Sequence, residues 1–224
     1  MAVSQGKKTV EGDAEPVRER LLDTAERLFS ERGFEATSVR DLASAAGCNV
    51  ASVNYYFGSK ERLYEEVFRR HFIPMTDVRV ASIDKVMTES NGRPELEVLL
   101  KAFADAFIEP LADEARASRF MKLMVREMID NHLPSDLFVK DVIIPTLSAM
   151  RTGLVKACPG LDESKVPLIV HSIVGQLVQA VHSERMLGQA RDTDVPRFPL
   201  AAVIDHIVKF SAAGIRAYAG ERIE

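Results

Sequence analysis

The chain has 224 residues, 46% of them hydrophobic and 28% charged, a globular balance rather than that of a disordered or membrane protein. Its formal net charge of −4 argues against a protein that coats nucleic acid without regard to sequence. Two distant cysteines, Cys48 and Cys158, suggest neither a disulfide framework nor a metal site, and without an 18-residue apolar run or a charged leader the expectation is a soluble cytoplasmic protein.

Residues 1–14 are polar and aperiodic and read as a mobile arm. Pro16 then opens a helix whose Val17, Leu21, Leu22, Ala25, Leu28 and Phe29 recur at helical spacing, and Gly33 ends it. Thr37 or Ser38 caps the short "VRDLASAA", expected to bury Val39, Leu42, Ala43 and Ala46 before Gly47 stops it. Asn49 caps "VASVNYY", with Val50 and Val53 expected inward, and Gly58 breaks it. Ser59 caps "KERLYEEVFRRHF", with Leu63, Val67 and Phe68 or Phe72 on the inner side. The turn Gly47–Cys48–Asn49 joins two of these helices into a helix-turn-helix over about 37–56, the geometry that presents a second helix to a DNA major groove.

Pro74 is expected to close this N-terminal module, residues 15–73. Longer apolar-periodic stretches follow at roughly 75–89, 95–109, 113–131, 135–157, 164–188 and 199–219. Turn-forming clusters such as "NGRP", "CPG" and "QARDTDVPRFP" separate them. No stretch alternates with period two, so an all-α chain is predicted: a three- or four-helix head, then a helical bundle over 74–224. Pro145, inside "VKDVIIPTLSAM", should kink or split its helix.

The head resembles the DNA-binding domain of tetracycline-repressor-type (TetR family) transcriptional regulators. The likeness covers about residues 17–72 and rests on the run from Ala25 through "LF", "GF" and "TSVRDLA", on the Ala-Gly turn, and on "YYFGSKE" followed by Leu63. The stretches "MVREMID", "VIIPTLSAM" and "HSIVGQLVQAV" resemble, more loosely, the ligand and dimerisation domain of one subgroup. The resemblance implies phosphate or base contacts from Ser38 and Arg40. It implies a reading face of Val50, Ala51, Ser52 and Asn54, backbone contacts from Tyr55 and Tyr56, and a phosphate contact from Lys60. Many members carry tyrosine where this chain has Asn54, and asparagine can pair twice with adenine. The resemblance also implies a homodimer through a four-helix seam of the last two helices, on which small residues such as Ser172, Gly175, Ala180, Ala202, Ala213 and Ala217 lie.

The adjacent tyrosines admit the same reading on chemistry alone. A phenol on a rigid ring reaches phosphate at little entropic cost, and two successive ring positions on a helix cannot both be core. Residues 1–72 hold eleven Lys or Arg against twelve Asp or Glu, so no strong basic patch supports nonspecific binding. Phe103, Phe107, Phe120, Met121, Met124 and Met128, with His171, could line an adaptable apolar pocket, though such stripes are more often plain core. No catalytic set, metal-ligand spacing or phosphate loop is legible, so neither enzyme activity nor a cofactor is expected. The expected function is a ligand-responsive regulator, a repressor released from a palindromic double-stranded operator by a small apolar or amphipathic effector, with no membrane partner. The alternative is a helical small-molecule carrier whose head merely packs.

Overall fold

The computed structural model describes residues 14–111, 114–189 and 197–220, and every regular element among them is helical. The expected arm lies outside the described residues except for Ala14, as does most of "QARDTDVPRFP". In chain order the helices are α1 (Ala14–Arg32), α2 (Val39–Ala45), α3 (Val50–Phe57), α4 (Lys60–Glu89), α5 (Leu96–Ile108) and α6 (Glu114–Asp130). Then come α7 (Ser135–Phe138), a π-turn (Val139–Ile143), α8 (Ile144–Ala157), α9 (Val166–Gln189) and α10 (Leu200–Tyr218). The chain divides into two compact units, Met1–His71 with Asp113–Leu137 and Phe72–Ala112 with Phe138–Glu224.

In the first unit the stripe foreseen on α1 is the core: Leu21, Ala25 and Phe29 are fully buried, with Leu42, Val53, Leu63, Val67 and Phe68 from the three helices that follow. Each large apolar side chain so enclosed contributes roughly 1.5–3 kcal/mol. Phe29, Phe34, Tyr64 and Phe68 form a ring cluster, with Phe29 and Tyr64 edge-to-face at 4.9 Å between centroids. The unit also takes in α6, a helix expected in the C-terminal bundle. Arg126 donates to the carbonyls of Ser30 and Glu31 at the end of α1, at 3.3 and 3.0 Å, and the Tyr64 hydroxyl donates to Glu127 at 3.1 Å. Phe120 stacks on His71 at 4.5 Å.

In the second unit α5 is the central element, burying Leu99, Leu100, Phe103, Ala104 and Phe107 against α8, α9 and α10. Arg216 of α10 grips Glu97 of α5 through two parallel bonds of 2.6 and 2.7 Å. The break expected at Pro145 is present as the π-turn just before it, which absorbs the missing N–H. The break expected at Pro74 is absent, because α4 continues to Glu89. A proline inside a helix costs about 3 kcal/mol; here buried Phe68 and Phe72 on one side and Ile83 and Val86 on the other oppose that cost. The stretch Glu163–Glu184 is, by length and composition, apolar enough to cross a membrane, although no single apolar run signals it. Leu168 and Val178 are among its exposed apolar residues.

Candidate nucleic-acid interface

Local chemistry sets the short helices. Ser38 is the N-cap of α2: its hydroxyl accepts from Asp41 N at 3.1 Å, while the Asp41 carboxylate accepts from Ser38 N at 2.9 Å. This capping box, led by the Ser38 hydroxyl bond, holds the Asp41 carboxyl below its usual range. Gly47 then adopts φ +62°, a left-handed conformation that suits glycine, and Cys48 N donates to Ala43 O at 3.0 Å. Asn49 Oδ1 accepts from Ala51 N at 2.9 Å and starts α3. Arg20 of α1 reaches Ala46 O at 3.4 Å, tying the turn to the first helix.

Val53 and Phe57 anchor α3 in the core. Ala51, Asn54 and Tyr55 elsewhere on the helix, and Val50 at its first position, are exposed, with Tyr55 at 77%. Val50, expected inward on spacing, lies on the same side as Val53 but is 43% exposed at the first position of the helix. Ser52 and Tyr56 are half-buried, and the two tyrosine rings meet near-perpendicular at 4.9 Å. This leaves one phenol standing in solvent beside an amide that both donates and accepts. Arg40 is exposed on the first turn of α2.

Lys60 is placed differently from the phosphate contact expected of it. Its ammonium donates to the carbonyls of Phe34 and Thr37 at 3.1 and 3.2 Å and lies 3.9 Å from the Phe34 ring centroid. The charge braces the loop between α1 and α2, where two carbonyls and a ring face compete with any phosphate. Ser59, as expected, caps α4, accepting from Arg62 N at 3.2 Å.

The residues expected to share a pocket fall into both units. Phe103 and Phe107 are core of the second; Phe120 is core of the first, with Met121 and Met124 half-buried and Met128 81% exposed. His171 is exposed on α9. None of them lines the groove of about 340 Å³ that described residues form between α4 and α8, whose walls include Val80, Ile83, Met87, Pro145 and Ala149. The α6 methionines mislead because the apolar face of that helix meets α1. Of the seam residues, Ser172, Gly175, Ala202 and Ala217 are exposed and Ala213 is half-buried. Ala180 is 9% exposed and belongs to the core of its own unit. Among the described residues no three His, Cys, Asp or Glu gather as a metal site would need.

The family model for "Bacterial regulatory proteins, tetR family" matches residues 21–67, and that for the C-terminal domain of the HTH-type transcriptional dual regulator CecR matches residues 96–215. The chain is 27% identical over 184 residues to CecR of Shigella flexneri, covering 76% of this chain and 77% of that one. Over 52 residues it is 50% identical to the HTH-type transcriptional repressor KstR2 of Rhodococcus jostii, a match covering 23% of this chain and 26% of the relative. The solved structure of the fatty acid degradation regulator FadR from Bacillus halodurans superposes with a TM-score of 0.60 at 20% identity, over 94% of this chain and 99% of that one. At that identity the superposition speaks for the fold alone.

Proposed function

Since the chain belongs to the tetR family of bacterial regulatory proteins, with a CecR-type C-terminal domain, we propose that it is a repressor gripping operator DNA as a homodimer. It is a ligand-responsive DNA-binding transcriptional regulator. The observation that carries the proposal is the free face of α3: Val50, Ala51, Asn54 and Tyr55 stand exposed on a helix anchored from behind by Val53 and Phe57. Asn54 is assigned to a base edge, and Tyr55 and Arg40 to phosphates, which position the helix without selecting sequence. Lys60 serves by holding the loop that carries α2.

One such helix reads only a few base pairs, so two copies related by a two-fold axis are required for a specific site. A single stripe on each of α9 and α10 suits that pairing: Leu168, Ser172, Gly175 and Val178 on one, Ala202, Phe210, Gly214 and Ala217 on the other, all exposed. Small residues among large ones let two helix pairs approach closely. The same cover accounts for the apolar length of α9 without a membrane. In this reading the chain works in the cytoplasm and catalyses nothing.

Footprinting on fragments selected from genomic DNA tests the proposal. Two protected patches whose centres lie about 10 base pairs apart, or a multiple of that, are expected. They should vanish with Tyr55→Ala while the dimer persists. A single patch, or protection that survives the loss of Tyr55 and Asn54, would refute it.

A further inference from the structure

Arg79 sits on the inward face of α4 and is 6% exposed. It forms no ion pair or hydrogen bond among the described residues, and its Nε is buried without a partner. Its guanidinium carbon lies 4.2 Å from the centroid of Phe107, a ring face that attracts the cation but accepts no strong hydrogen bond. Burial alone drags its pKa down to about 10. The acidic neighbours on α4, Asp77 and Asp84, are exposed. Among the described residues three further buried polar atoms in the same unit lack partners, Thr76 Oγ1, Thr146 Oγ1 and Ser211 Oγ, the first two on α4 and α8.

Helix directions place Arg79 and the two threonines at one level of the unit. Thr76 precedes Arg79 by three residues and so shares its helix face. Ser82 donates to Ala102 O and Arg79 lies on Phe107, so α5 runs back along α4. A Cβ on Gly153 would stand 2.9 Å from Leu99, and the groove aligns α4 from Val80 to Met87 with α8 from Pro145 to Thr152. If α8 ran against α4, Gly153 would fall beside Phe107 instead of Leu99. It therefore runs with α4, and Thr146, two turns before Gly153, is level with Phe107 and Arg79.

We propose that Arg79, Thr76 and Thr146 form the headgroup subsite of the effector, and that this effector is a monoanionic organic acid. The carboxylate takes two N–H groups of the guanidinium fork and the threonine hydroxyls, while its carbon skeleton lies on Phe107. One guanidinium balances one carboxylate; a phosphate ester, with close to two charges, would leave a buried excess. The assignment rests on the reading of the second unit as the effector domain.

Melts of the full chain followed by circular dichroism test it, with hexanoate, decanoate and benzoate as probes against their primary amides and hexyl phosphate. At least one carboxylate should raise the melting temperature of the wild type while its amide and the phosphate do not. Arg79→Met should weaken that carboxylate's binding about tenfold or more and still bind the selected DNA fragment. Equal effects of acid and amide, a stronger effect of the phosphate, no response to any carboxylate, or an undiminished response in R79M would overturn the assignment. Carboxylate binding lost in R79M without any specific DNA binding by the wild type would instead remove the repressor reading and leave the acid site standing.

Discussion

Tyr55 and Lys60 are five residues apart, and the two side chains are predicted to fail in opposite ways. Tyr55 is 77% exposed, and its ring meets that of Tyr56. Tyr55→Ala should leave the urea midpoint unchanged within error and weaken DNA binding in an anisotropy titration. Lys60→Met removes a cation from two carbonyls, so it should cost about 1 kcal/mol of stability, with any loss of DNA affinity following from a loosened head. A wild-type urea midpoint in K60M would show that the brace is idle. Glu26 is a third case: burial raises its pKa, but the hydrogen bond and charge of His71, then Arg119 and Arg70, outweigh this and leave it lowered. A carboxyl lowered by folding stabilises the fold above its unfolded value and loses that contribution as pH falls through the folded one. The wild type should therefore lose stability between about pH 5 and pH 3 more steeply than Glu26→Gln, measured by urea midpoints. Parallel slopes would contradict the buried pairing.

At the scale of elements, what was legible in the sequence was what local chemistry decides. Ser38, Gly47, Asn49 and Gly58 mark the ends of α2 and α3 where the structure has them, because caps and left-handed turns involve neighbours only. Ser38→Ala removes half of the capping box and should cost about 1 kcal/mol, read from the thermal melt. The illegible part depended on partners far along the chain. Nothing around Met121, Met124 or Met128 signals that Arg126 will meet the carbonyls of Ser30 and Glu31, some ninety-five residues away. An apolar helix face looks the same whether it lines a pocket or covers α1. Pro74 misled for a related reason, since tertiary burial on both sides of it overrides the local penalty. Gly153 also depends on a distant partner: a Cβ there would stand 2.9 Å from Leu99 in a packed core. Gly153→Ala should therefore destabilise by about 1–3 kcal/mol; a neutral melt would mean that α5 and α8 separate easily.

For the whole molecule, the two units divide the labour. The first holds a helix with a free face and no basic excess, so in the proposed reading affinity comes from fitted contacts in duplicate rather than from charge. The second holds a buried cation with no anion among the described residues and, on α9 and α10, an apolar stripe that a second copy would cover. Phe210, 66% exposed at the middle of that stripe, is the position at which to test pairing. Phe210→Glu should shift the sedimenting species toward monomer and abolish two-site DNA protection together, whereas loss of protection in an intact dimer would separate the two. Underlying all of this is one requirement: duplex DNA must be chosen by its sequence. Titrating a genome-selected duplex against a scrambled one of equal length and salt measures that choice directly. At least about a thousandfold preference is predicted, and equal binding of the two would contradict the account.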